Sequence, residues 1–129
     1  MLKLIKSLLK DKAIYIAISI TIIIAILSLI KVGSQPIYIK YLDKIEHTTA
    51  YFVLTFFWLL AFFKKEKIRT IIIVLSISYG ILLEVLQGTI TTYRTFDYVD
   101  MIANTLGVLI AFLVFKIIEK KQFNLLNSL

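Results

Sequence analysis

The chain has 129 residues, the length of one domain, and 60% of them are hydrophobic with a mean hydropathy of +0.91, against about 45 to 50% apolar residues in soluble domains; a water-soluble fold of this size is excluded. There is no cysteine, which removes disulfides and thiolate metal ligands. The formal net charge of +7 lies in short clusters between apolar runs, a pattern of membrane topology and not of a nucleic-acid-binding face.

In chain order, Lys3, Lys6, Lys10 and Lys12 precede an uncharged run from Ala13 to Ile30. About 18 residues rising roughly 1.5 Å each approach the ~30 Å hydrocarbon thickness. A cleavable leader has a shorter apolar core, about 7 to 15 residues, so this run is expected to be a retained helix despite Val32-Gly33-Ser34 beyond it. The single proline, Pro36, falls in the loop that follows. Three more spans are expected at about Lys44 to Phe63, Thr70 to Gln87 and Asp97 to Lys116. Isoleucine and valine are abundant, but in lipid each backbone group must be satisfied within its own segment or in a closed barrel, and four long runs close no barrel. The tail after Lys120, with Phe123, Leu125 and Leu126, is expected to fray on the membrane surface. The expected fold is therefore all-α, one domain over residues 1–129, an integral membrane four-helix transmembrane bundle.

An even number of spans puts both termini on one side. The N-terminal lysines, Lys64, Lys65, Lys67, Arg69, Lys116, Lys120 and Lys121 fall together on that side, and Lys31, Lys40, Lys44 and Arg94 fall opposite, so both termini are expected in the cytoplasm.

Polar residues gather at the other side. Asp43 and His47 stand one turn apart at the start of the second span, with Tyr51 a further turn on; Glu84 and Gln87 share a face at the end of the third; Asp100, Asn104, Gly107 and Ala111 run down one face of the fourth, just after Arg94. Up-and-down connectivity brings these three sets to one membrane surface whichever way the chain is inserted. At the edge of the hydrocarbon such groups face the bundle interior and take partners. Asp97 is expected to cap the fourth helix, and Gly107 to let backbones pack closely. Arg94 is expected to pair with Asp97 or Glu84, or to clamp a phosphate beside the helix N-terminus. His47, with Asp43, Glu84 and Asp100 in reach, offers a general base, and the same set offers oxygen ligands to a hard divalent cation. The spacing matches neither a zinc motif nor a serine triad.

The string Asp43-Lys44-Ile45-Glu46-His47, then Glu84-Val85-Leu86-Gln87, then Arg94 followed by Asp100-Met101-Ile102-Ala103-Asn104-Thr105-Leu106-Gly107 resembles the VanZ-like family over the second to fourth helices. The resemblance implies a multi-pass protein of the bacterial inner (cytoplasmic) membrane, low-level teicoplanin resistance without a change in the usual peptidoglycan precursor terminus, and likeness to membrane proteins suggested to work on lipid head groups. It carries over His47, Glu84, Asp100 and Asp43 as candidate catalytic residues and Arg94, Gln87 and Asn104 as candidate substrate-binding residues, with the metal and cofactor left open. The partners so implied are membrane lipids and a lipid-linked envelope precursor or lipoglycopeptide. Three functions compete: a head-group enzyme, a non-catalytic binder or scaffold held by the same polar cluster, and a small exporter. The exporter ranks last, because the first span has no acidic residue between Ala13 and Ile30.

Overall fold

The apolar runs fold as four α-helices with no strand among the described residues, which in this computed structural model are 2–30 and 41–129. They are α1 (Leu2–Leu29), α2 (Leu42–Ala61), α3 (Glu66–Ile90) and α4 (Tyr98–Asn127). Lys31, Val32-Gly33-Ser34, Pro36 and Lys40 lie outside the described residues. The segments from Asp11 to Leu29, Glu66 to Ile90 and Tyr98 to Asn127 are long and apolar enough to cross a membrane. The shorter α2, 20 residues, opens on Asp43, Lys44, Glu46 and His47 and gives its first turns to charge. It is the inner helix, packed against both α1 and α4.

Two expected boundaries are corrected. The helix of the first span begins at Leu2 and includes the lysine-rich stretch ahead of Ala13. The C-terminal tail does not fray at Lys120: α4 continues to Asn127, closed by the Ser128 amide donating to the Asn124 carbonyl at 3.1 Å. No glycine or proline follows Gly107, so nothing in the sequence stops the helix earlier.

The four helices share one core of Ile24, Tyr51, Leu54, Leu83 and Val108, and a second cluster of Leu59, Ile72 and Phe115 lies towards the far end. Their outer faces expose Ile22, Ile23 and Ile26 on α1, Ile71, Val74 and Leu75 on α3, and Ile102, Leu109 and Leu113 on α4. In water such a surface would be costly; against acyl chains it is the solvent-matched one. Polar cross-links tie α1 in: the Trp58 indole donates to Thr21 Oγ1 at 3.1 Å, and the Tyr79 hydroxyl to the Thr21 carbonyl at 2.6 Å. At the end away from the sequence-derived site, the buried Arg69 guanidinium grips Glu119 with both terminal nitrogens, at 3.0 and 2.5 Å, donates to the Phe63 carbonyl at 3.0 Å and lies over the Phe115 ring. This fork joins α3, α4 and the end of α2.

The backbones of α2 and α4 come close at Gly107. A Cβ on Gly107 would lie 2.2 Å from the Thr48 carbonyl oxygen and 3.0 Å from the Phe52 amide nitrogen, so packing accounts for this glycine. Gly107→Ala is expected to destabilise the bundle by at least ~1 to 3 kcal/mol, the usual cost of overpacking, because the obstacle is backbone. The check is the unfolding midpoint in detergent beside Leu106→Ala, a change at an exposed position expected to leave it nearly unmoved.

Candidate functional site

Hydrogen bonds and ion pairs bring the end of α1, the start of α2, the end of α3 and the start of α4 together at one end of the bundle. Asp97 precedes α4 in extended conformation, and its Oδ1 accepts from the Val99 amide at 2.8 Å, which is the expected cap. Its Oδ2 accepts from the Lys44 ammonium at 2.6 Å. Lys44 also pairs with Asp43 at 2.8 Å and with Asp100 Oδ1. One ammonium with three N–H donors thus meets three carboxylates, and it staples the first turn of α2 to the first turn of α4. The sequence reading counted Lys44 only as a topology charge. Its place four residues after Lys40 and one before Ile45 gives no local signal, and only the α2–α4 packing reveals its partners.

His47, one turn along α2, is placed from two sides. Its Nδ1 lies 2.9 Å from Asn104 Oδ1 and its Nε2 lies 3.6 Å from Asp100 Oδ2. With Asn104 accepting, Nδ1 carries the proton and Nε2 presents its lone pair towards Asp100. Asn104 is buried, and its side chain rests on Gly80 of α3, where a Cβ would come 3.2 Å from the Asn104 amide nitrogen. It stands behind His47 and is not among the residues lining the open pocket. Glu84 is 1% exposed, and its Oε2 accepts only a long 3.4 Å bond from the Asp97 amide. One ligand atom each from His47, Glu84 and Asp100 lies within 4.8 Å of the others.

The open pocket has a volume of about 330 Å³ and is lined by Asp43, Glu46, His47, Tyr93, Arg94 and Asp100, among others. Gln87 also reaches it but is buried, and its amide donates to the Ser28 carbonyl at 2.9 Å, fastening α3 to α1. Tyr93 fastens the same edge through its hydroxyl, which donates to the Leu29 carbonyl. The expected ion pair of Arg94 with Asp97 or Glu84 is corrected: among the described residues Arg94 makes no ion pair and its side chain stands exposed at the pocket. Both Asp97 oxygens are already taken by Lys44 and Val99, and Glu84 lies inside the bundle.

Asp43 and Asp97 lie ahead of the apolar stretches of their helices, and the hydrogen bond from Lys44 is the main force holding both carboxyls below the ordinary carboxylate range. A group whose folded pKa is depressed contributes stability that is present above the ordinary value, about 3.9 for aspartate, and is lost as pH falls through the lowered one. The wild-type unfolding midpoint is therefore expected to fall on acidification through that window. In Lys44→Met the three carboxylates repel one another without their cation, so acidification is expected to raise the midpoint. The same acid limb in both proteins would contradict the staple.

The family model described as VanZ/LLP1 matches residues 4–119. A protein of Schizosaccharomyces pombe, described as uncharacterized, is 33% identical over 82 residues, which cover 62% of this chain and 50% of the yeast protein. The chain thus spans about half the length of that relative. No solved structure matches. With membrane-length helices and the residues of the resemblance converging at one end of the bundle, the chain belongs to the VanZ/LLP1 family.

Proposed function

We propose that this protein acts on a phosphorylated lipid head group, either of a membrane lipid or of a lipid-linked envelope precursor, at the end of the bundle that holds His47. The observation that carries the reading is the convergence of His47, Asp100 and Glu84 from three helices beside an open pocket with the unpaired guanidinium of Arg94 at its edge. With Asn104 accepting from Nδ1, Nε2 of His47 takes the proton from water or a hydroxyl as it attacks the phosphorus, and returns it to the alcohol oxygen that leaves as the P–O bond breaks. Arg94 holds the phosphate, and the N-terminal dipole of α4 favours an anion at the same place. A head group reaches such a site from the bilayer surface while its chains stay in lipid.

The orientation follows the positive-inside rule: Lys64, Lys65, Lys67, Lys116, Lys120 and Lys121 lie away from the site, which leaves the termini in the cytoplasm and the pocket on the outer face of a bacterial inner membrane. A change in outer-leaflet head groups or precursors there would lower access of a lipoglycopeptide such as teicoplanin, giving low-level resistance. The second reading, a non-catalytic binder or scaffold, is favoured by the amount of polar chemistry spent inside the bundle: Gln87 on Ser28, Asn104 on His47 and Lys44 on three aspartates.

The test compares wild type with His47→Ala, Glu84→Gln and Asp100→Asn at matched membrane levels in one bacterial host, reading total lipids and lipid-linked precursors by mass spectrometry. The enzyme reading predicts a species that changes with wild type and falls by at least ~100-fold in the His47 variant, the scale of a lost general base. Unchanged profiles with folded proteins would leave the binder.

A further inference from the structure

Asp43, Glu46, Glu84, Asp97 and Asp100 bring five carboxylates to this end of the bundle. Glu84 is the deepest of them, 1% exposed with a carboxylate oxygen in the cluster, and the bond it accepts from the Asp97 amide is long at 3.4 Å. Beside it His47 Nε2 lies 3.6 Å from Asp100 Oδ2, longer than a hydrogen bond. One imidazole nitrogen and two carboxylate oxygens therefore stand together, a set of ligand atoms that a cation can hold.

We propose that His47, Glu84 and Asp100 form a binding site for a single divalent cation of the Mn²⁺ or Zn²⁺ class. Two ligands of one such ion, each at about 2.0 to 2.2 Å, are at most ~4.4 Å apart, so the three ligand atoms, within 4.8 Å of one another, need to close by only a few tenths of an ångström to hold it. One imidazole with two carboxylates suits a borderline divalent ion and leaves coordination positions open. The outer ring is in place: Asn104 holds the far nitrogen of His47, at 2.9 Å, and Lys44 holds the second oxygen of Asp100, the arrangement that fixes ligand orientation in protein metal sites. This deepens the head-group reading and moves one role within it: with His47 Nε2 holding the ion, the ion rather than the imidazole would activate the attacking water and give phosphate oxygens a ligand; the ion's binding itself does not depend on that reading.

The test uses the full chain in detergent or nanodiscs with Mn²⁺ alone and no lipid substrate. Loss of the free-ion EPR signal is expected to titrate to one Mn²⁺ per chain, with ¹⁴N modulation from a coordinated imidazole in the spin-echo spectrum. His47→Ala is expected to abolish the nitrogen modulation, and Glu84→Gln, Asp100→Asn and His47→Ala each to weaken binding at least tenfold. Asn104→Ala is expected to weaken it about 10- to 100-fold through the imidazole. Glu46→Gln, at the pocket rim, is expected to stay within threefold of wild type. Circular dichroism and monodispersity identify variants that fold, and the isosteric Glu84→Gln and Asp100→Asn keep the proposal testable where His47→Ala does not. Absence of saturable Mn²⁺ binding, binding without nitrogen modulation, or an equal loss from Glu46→Gln, the mark of diffuse screening, would each overturn it. Saturable binding with no lipid change in vivo would sink the head-group reading and leave the ion site standing.

Discussion

The approach of α2 to α4 at Gly107 governs the rest of this structure. With no side chain at that position the Thr48 carbonyl and the Phe52 amide of α2 lie against α4 backbone, and the Thr48 hydroxyl reaches both the Lys44 carbonyl at 2.8 Å and the Ala103 carbonyl at 3.2 Å. Everything polar at the site is then a matter of helical register. Asn104 lies one turn before Gly107 and meets His47; Asp100 lies two turns before it and meets Lys44. Separating the helices by the width of one side chain would leave His47 without its partner and three aspartates without their cation.

The membrane makes that contact consequential. Hydrocarbon offers a buried polar group no replacement for a lost partner, so each polar residue at this end is either bonded within the bundle or turned to the pocket. Gln87 and Tyr93 are spent on the end of α1, Asn104 on His47, and Lys44 on Asp43, Asp97 and Asp100. His47 Nε2, Glu84 and Arg94 are what remains for chemistry. At the opposite end Arg69 with Glu119 closes the bundle by the same logic, leaving the reactive groups at one surface alone.

Much of this was legible in the sequence because hydrophobic runs and up-and-down connectivity dictate which segment ends meet. The convergence of His47, Glu84 and Asp100, the cap at Asp97 and the packing of Gly107 all follow from spacing along single helices. Pairings between helices were not legible. Arg94 was expected to pair with Asp97 or Glu84, yet Lys44, 53 residues from Asp97, holds that carboxylate; the sequence carries no information about which cation the packing delivers. The continuation of α4 to Asn127 was missed because composition alone does not separate a polar-flanked tail from a helix that simply lacks a stop signal. The Gly80 contact with Asn104 has no sequence pattern at all.

The register of α2 on α4 is open to direct measurement, since the chain has no cysteine of its own and an introduced pair reports without ambiguity. Thr48→Cys with Ala103→Cys, oxidised in native membranes, is expected to form an intramolecular disulfide, and Thr48→Cys with a cysteine at the lipid-facing Leu106 is expected to form none. Cross-linking to position 106 with none to 103 would rotate α4 by a face, take Asn104 and Asp100 away from His47, and contradict the site.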